Sequence, residues 1–132
     1  MSYHFSTSLN MPFEKAVSVT TETLQKHGFG VLTEIDVQAT LKKKLEVDFR
    51  PYRILGACNP AMAHRALQAE DKIGTMLPCN VVVQQRDDGT VEVSAVDPVA
   101  SMQAIRNPSL ADTAGEVRRM LRQVIDDLGA RG

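Results

Sequence analysis

The chain contains five segments whose hydrophobic pattern is typical of strands. In the first segment, Tyr3 and Phe5 alternate with polar residues, a period of two that indicates a half-buried strand. The others are rich in β-branched and apolar residues, and the strongest turn signal, Asp87-Asp88-Gly89, separates the last two. The predicted strands cover residues 2–8, 29–37, 52–58, 79–86 and 90–96. The last two therefore form an antiparallel hairpin.

The segments between the strands place apolar residues on one face at helical spacing. Asn10 is the predicted cap of a first helix that runs to about His27 and stops at Gly28. Residues 38–49 predict a short charged helix, and Asn59 followed by a proline predicts the start of a third. The last helix carries a long apolar stripe with Gly129 as its stop, and the stripe consists of Leu110, Ala114, Val117, Leu121, Val124 and Leu128.

The order of these elements, βαβαβαββα, predicts the fold class. We expect a single α+β domain over residues 1–132, with two layers in which helices cover one face of a mixed sheet. No internal repeat, low-complexity segment or linker interrupts the pattern. A domain of this length is long enough to bury a core without disulfides or a structural metal.

Composition and charge narrow the classes of function. The chain has 132 residues, of which 43% are hydrophobic, and fifteen Lys and Arg residues oppose sixteen Asp and Glu residues. This balance provides no general field that would attract nucleic acid or an anionic membrane. No N-terminal basic region precedes an apolar run, and no segment approaches the roughly 20 apolar residues of a membrane helix. We therefore expect a cytoplasmic protein without nucleic-acid or membrane partners.

The two cysteines of the chain each precede an asparagine. If Asn59 caps the third helix, Cys58 lies one residue outside a helix N-terminus, where free N–H groups and the helix dipole favour an anion. Such a setting can lower a thiol pKa and make Cys58 a candidate nucleophile or metal ligand. His64 follows within two turns of the same helix, and its side chain could lean back toward Cys58.

The second pair, Cys79-Asn80, opens the hairpin. Adjacent parallel strands would keep Cys79 far from Cys58, whereas adjacent antiparallel strands could bring them together, and the sequence does not fix the strand order. Asp97 follows the other end of the hairpin, so we expect it near Cys79. Such a set could bind zinc, copper or iron in a partly open site. The predicted metal ligands are Cys58, His64 and Cys79, within a ligand pocket of Cys58, Asn59, His64, Cys79, Asn80 and Asp97.

Three interpretations of these residues stay open. The leading one is a ligand-binding or metal-binding module, redox-linked in one version, with a transition metal ion as its cofactor. The second is an enzyme with Cys58 as nucleophile and His64 as base. The third is a protein-interaction module whose cysteines are inert core residues, since free cysteine is among the most buried residue types. A single Cys-x5-His spacing with one distant cysteine is not a zinc signature.

Four blocks of the sequence together resemble the bacterial and archaeal family called domain of unknown function 302. They are GFGVLTEIDV, YRILGACNPAMAHRAL, IGTMLPCNVVV and DGTVEVSAVDP, and the resemblance covers roughly residues 3–128. It implies a compact two-layer α+β domain and a homodimer, and it supplies no biochemical function. The positions that match the family pattern are Cys58, Asn59, Pro60, His64, Pro78, Cys79, Asn80, Asp97 and Pro98.

Overall fold

Five strands form one sheet in the computed structural model, which describes residues 2–132. The strands are β1 (His4–Leu9), β2 (Gly30–Asp36), β3 (Tyr52–Cys58), β4 (Cys79–Gln85) and β5 (Val91–Val96). The helices are α1 (Phe13–Lys26), α2 (Val37–Leu45), α3 (Pro60–Ala69), α4 (Pro98–Ser101) and α5 (Pro108–Arg131), with a 3₁₀ turn at Ile73–Met76. The α+β class and the order of the main elements are confirmed.

The sheet is antiparallel throughout, so the prediction of a mixed sheet was wrong. Its order is β1-β5-β4-β3-β2, and each neighbouring pair is antiparallel. The connections through α2 and α3 return the chain to the adjacent position in the sheet, as a hairpin loop would. Strands β1 and β2 run in the same direction, but they occupy opposite edges and never pair.

One face of the sheet carries the core. Alternate strand residues are buried against α1 and α5, among them Phe5, Leu55, Val81 and Val93. On the opposite face, the strand residues other than Gly56 are exposed or half-buried. This alternation is the pattern expected of an antiparallel sheet with helices on one side.

The long helix α5 packs on β1 and β5, at one side of the sheet. All six residues of its predicted apolar stripe are buried, which confirms the stripe. Gly129, the predicted stop, lies inside the helix instead, which continues to Arg131. A Cβ atom at Gly129 would lie 2.9 Å from Oγ1 of Thr7, so this glycine lets α5 pack closely against β1. Gly129 therefore does not end the helix, and it allows the close packing of α5 against β1.

The helix α1 contains a buried hydroxyl group that leads to a stability prediction. Thr20 and Thr23 are both fully buried, and Oγ1 of Thr23 donates to the carbonyl oxygen of Val19 at 2.7 Å. Oγ1 of Thr20 has no hydrogen-bond partner among residues 2–132. A buried polar group without a partner destabilises the folded state.

We expect Thr20→Val to raise the free energy of unfolding by about 1 kcal/mol, because valine has the same shape without the unpaired hydroxyl. Thr23→Val is the matched control in the same helix, and it removes a satisfied hydroxyl, so it should give no gain. Urea unfolding at constant m-value measures both. Equal effects of the two substitutions would contradict the assignment.

Candidate functional site

A small cavity lies where β3 ends and β4 begins. Its volume is about 40 Å³, and both Cys58 and Cys79 line it. Of the described residues that line it, all except Asn59 and Thr113 are apolar or contain sulfur. Met62 from α3 and Met102 from the segment after α4 contribute two thioether side chains. We call this space the inner cavity.

The antiparallel pairing of β3 with β4 brings the two cysteines together. Ala57 lies directly opposite Cys79, so Cys58 is only one residue beyond the paired position. Both cysteines are free thiols, with Cys79 in the hydrophobic core and Cys58 half-buried. The sequence left this strand order open, and the structure has the arrangement in which the cysteines meet.

A glycine that sequence reasoning missed shapes this end of the sheet. Gly56 in β3 lies opposite Thr33 in β2. A Cβ atom at this position would collide with Oγ1 of Thr33 and lie 2.6 Å from Cγ of Pro78. Gly56 therefore lets Pro78, which precedes Cys79, pack against the sheet. A glycine inside a predicted strand was the available signal, because such glycines mark close approach of other groups.

Asn59 caps α3 as predicted. Its side-chain Oδ1 accepts a hydrogen bond from the backbone N–H of Met62 at 3.1 Å, and Pro60 occupies the first helical position. This cap fixes the direction in which the chain leaves Cys58 and places the first turn of α3 against the inner cavity. The positive end of the α3 dipole therefore faces the side of the cavity that holds Cys58.

The thiol pKa values differ from the expectation of a lowered value at a helix N-terminus. Burial raises the pKa of Cys58, and burial together with the charge of Cys58 raises the pKa of Cys79 to about 11. In an apolar space, the loss of hydration disfavours the charged thiolate. Both thiols are therefore protonated at neutral pH, which argues against Cys58 as a resting thiolate nucleophile.

His64 and Asp97 do not share the inner cavity with the cysteines. His64 is exposed on α3. Asp97 is buried, but its Oδ1 accepts from the backbone N–H groups of Val99 and Ala100 at the start of α4. Its Oδ2 accepts from Nε of Arg118 at 3.1 Å. The register of the hairpin places Asp97 at the same end of the sheet as Cys79. The carboxylate of Asp97, however, accepts hydrogen bonds from α4 and α5.

Asn80 also points away from the cysteines. It is exposed, and it borders a shallow groove on the sheet face without helices. Across residues 2–132, no group of three or more His, Cys, Asp and Glu side chains could hold a metal ion. The predicted set of Cys58, His64 and Cys79 is thus not assembled. The structure instead brings two cysteines together with two methionines.

Comparisons with known proteins agree with the resemblance found in the sequence. The family model described as "Domain of unknown function DUF302" matches residues 5–128. The fold is similar to the crystal structure of an uncharacterized conserved protein DUF302 from Bacillus stearothermophilus, with a TM-score of 0.88. The two sequences are 29% identical, and the match covers 96% of this chain and 98% of that chain. No curated protein matches the sequence. In the described residues, no helix is long and apolar enough to cross a membrane. The homodimer and the cytoplasmic location stay predictions.

The raised pKa of Cys79 gives a testable dependence of stability on pH. The folded state binds the thiol proton more tightly than the unfolded state, whose pKa is near the ordinary value of 9.0. The stabilisation from the neutral thiol is therefore complete below pH 9 and is lost as the pH rises toward 11.

We expect the free energy of unfolding to fall by about 2 kcal/mol more in the wild type than in Cys79→Ala between about pH 8 and about pH 11. Urea unfolding at several pH values measures the two slopes. Comparing slopes removes the constant effect of the smaller side chain and the titration of lysines and tyrosines common to both proteins. Parallel curves for the two proteins would show that Cys79 titrates normally.

Proposed function

The chain belongs to the DUF302 family, and we propose that it is a soft-metal-binding protein that holds one Cu(I) ion between Cys58 and Cys79. The observation that carries the proposal is the inner cavity, in which two cysteines and two methionines from different elements surround one small space. Thiolate and thioether sulfur atoms are the soft ligands that favour Cu(I).

The size of the inner cavity favours a single ion over an organic ligand. An apolar cavity that binds benzene has a volume of roughly 150 Å³, whereas a single water needs only about 10–15 Å³. The inner cavity has a volume of about 40 Å³. It therefore has room for one ion without rearrangement of its walls.

The available ligands favour Cu(I) over zinc. Structural zinc sites use four nitrogen, sulfur or oxygen ligands in a tetrahedron. The inner cavity offers Cys58 and Cys79 with the thioethers of Met62 and Met102, and neither His64 nor a carboxylate lines it. Two thiolates and a weak thioether suit an ion of low coordination number better than they suit Zn²⁺.

The charge balance of the site is favourable for one Cu(I) ion. Binding replaces the two thiol protons by the metal, so the complex of two thiolates with one Cu(I) carries a single negative charge. The N-terminus of α3, directly after Cys58, stabilises such an anion. Since the pKa of each thiol is raised, the apparent affinity increases with pH.

We expect one Cu(I) ion per chain to bind in competition with the chromogenic chelator bicinchoninate under anaerobic conditions. Cys58→Ser and Cys79→Ser should each lower the affinity by more than about 100-fold, because each removes one of two strong ligands. His64→Ala is the matched control for a residue on α3, and it should leave the affinity unchanged.

Three outcomes would contradict the proposal. They are a wild type that does not compete with the chelator, a serine variant that competes as well as the wild type, and a loss in His64→Ala as large as in the serine variants. The first outcome would favour cysteines with a purely structural role, since Cys79 belongs to the core. Urea unfolding of each variant separates loss of binding from loss of fold.

A further inference from the structure

A second cavity lies against the inner cavity. Its volume is about 180 Å³, and we call it the outer cavity. The segment 98–107, which contains α4 and connects β5 to α5, forms one side of it, and the start of α5 forms the other. The two cavities share Met102, Leu110 and Ala114 as common wall residues. The wall between them is therefore thin.

Met102 differs from the other two shared residues in its chemistry. Of the described residues that line both cavities, Met102 alone contains sulfur. It is half-buried and packs against the small cluster of Ala66, Ile73 and Leu110, apart from the main core. Methionine has three rotatable bonds and adapts to irregular spaces, so its thioether can turn toward either cavity.

The segment that carries Met102 is held to α5 by the buried carboxylate of Asp97 and by the packing of Met102 and Ile105 against Leu110. Asp97 caps α4 through Oδ1 and accepts from Nε of Arg118 through Oδ2. Arg118 is exposed on α5, and its guanidinium also lies 5.1 Å from the ring centre of Phe5. The ion pair is therefore one of the contacts that hold the segment 98–107 over the outer cavity.

We propose that the outer cavity is the access route of the metal site and that Met102 is a binding residue that passes Cu(I) from the outer to the inner cavity. This inference rests on the proposed Cu(I) site. Its geometric basis is that one thioether lies on the wall between the route and the cysteines. Thioether sulfur binds Cu(I) weakly enough to release it to thiolates.

The transfer is a ligand exchange without electron transfer. A Cu(I)–thioether bond to Met102 forms as the bond to the copper donor breaks. That bond then breaks as Cu(I)–thiolate bonds form to Cys79 and Cys58. The two thiol protons pass to water or buffer, the thioether is unchanged, and copper stays in the +1 state throughout.

We expect Met102→Leu to take up Cu(I) about tenfold more slowly than the wild type from its coloured bicinchoninate complex. Leucine conserves the volume of methionine and removes the sulfur. Met120→Leu is the matched control, because Met120 packs against the core and lines neither cavity. Stopped-flow absorbance measures the rates.

An unchanged rate in Met102→Leu, or an equal decrease in Met120→Leu, would overturn the relay and would point to direct access at the half-buried Cys58. This result is distinguishable from failure of the proposed function. If the site itself is wrong, the wild type takes up no copper at equilibrium. If only the relay is wrong, all three proteins bind copper, and Met102→Leu takes it up no more slowly than Met120→Leu.

A second pair of variants tests the route through the segment 98–107. We expect Arg118→Gln to take up Cu(I) a few-fold faster, because loss of the ion pair with Asp97 loosens the segment. Arg122→Gln is the matched control, since Arg122 lies 5.0 Å from the same Phe5 ring but pairs with Asp126 instead. Equal rates for Arg118→Gln and Arg122→Gln would overturn access beneath this segment.

Discussion

The antiparallel pairing of β3 with β4 is the constraint on which the candidate site depends. Because Ala57 lies opposite Cys79, the last residues of β3 and the first residues of β4 lie side by side at the same end of the sheet. Asn59 then starts α3 directly beyond Cys58 and brings the helix over that edge. A one-residue shift in this register would move the buried residues of β4 to the other face of the sheet.

The apolar surroundings of the inner cavity lower the reactivity of its two thiols at neutral pH. Cys58 and Cys79 lie among apolar side chains, and the resulting loss of hydration raises both pKa values. Such thiols are poor nucleophiles at neutral pH, yet a soft cation can displace their protons. The same apolar walls disfavour hard, strongly hydrated ions. In the proposed Cu(I) site, selectivity would therefore depend on the surroundings of the sulfur atoms as well as on the sulfur atoms themselves.

Local patterns in the sequence were sufficient for the strands, the Asn59 cap and the buried stripe of α5, because each depends on neighbouring residues. The strand order was not predictable, since helical connections are compatible with both parallel and antiparallel neighbours. The composition of the site was only partly predictable for the same reason. His64 faces outward on α3, and the carboxylate of Asp97 is occupied by α4 and Arg118. No local pattern indicated that Met102, distant in sequence, would complete the cavity.

The proposed Cu(I) site requires that sulfur atoms alone surround the ion. X-ray absorption spectroscopy at the copper edge, recorded on protein loaded anaerobically with one equivalent of Cu(I), tests this most directly. The account predicts a first shell of two or three sulfur atoms, from Cys58, Cys79 and one thioether of the cavity. A first shell with imidazole nitrogen would contradict it, because the histidines of the chain, His4, His27 and His64, all lie outside the inner cavity.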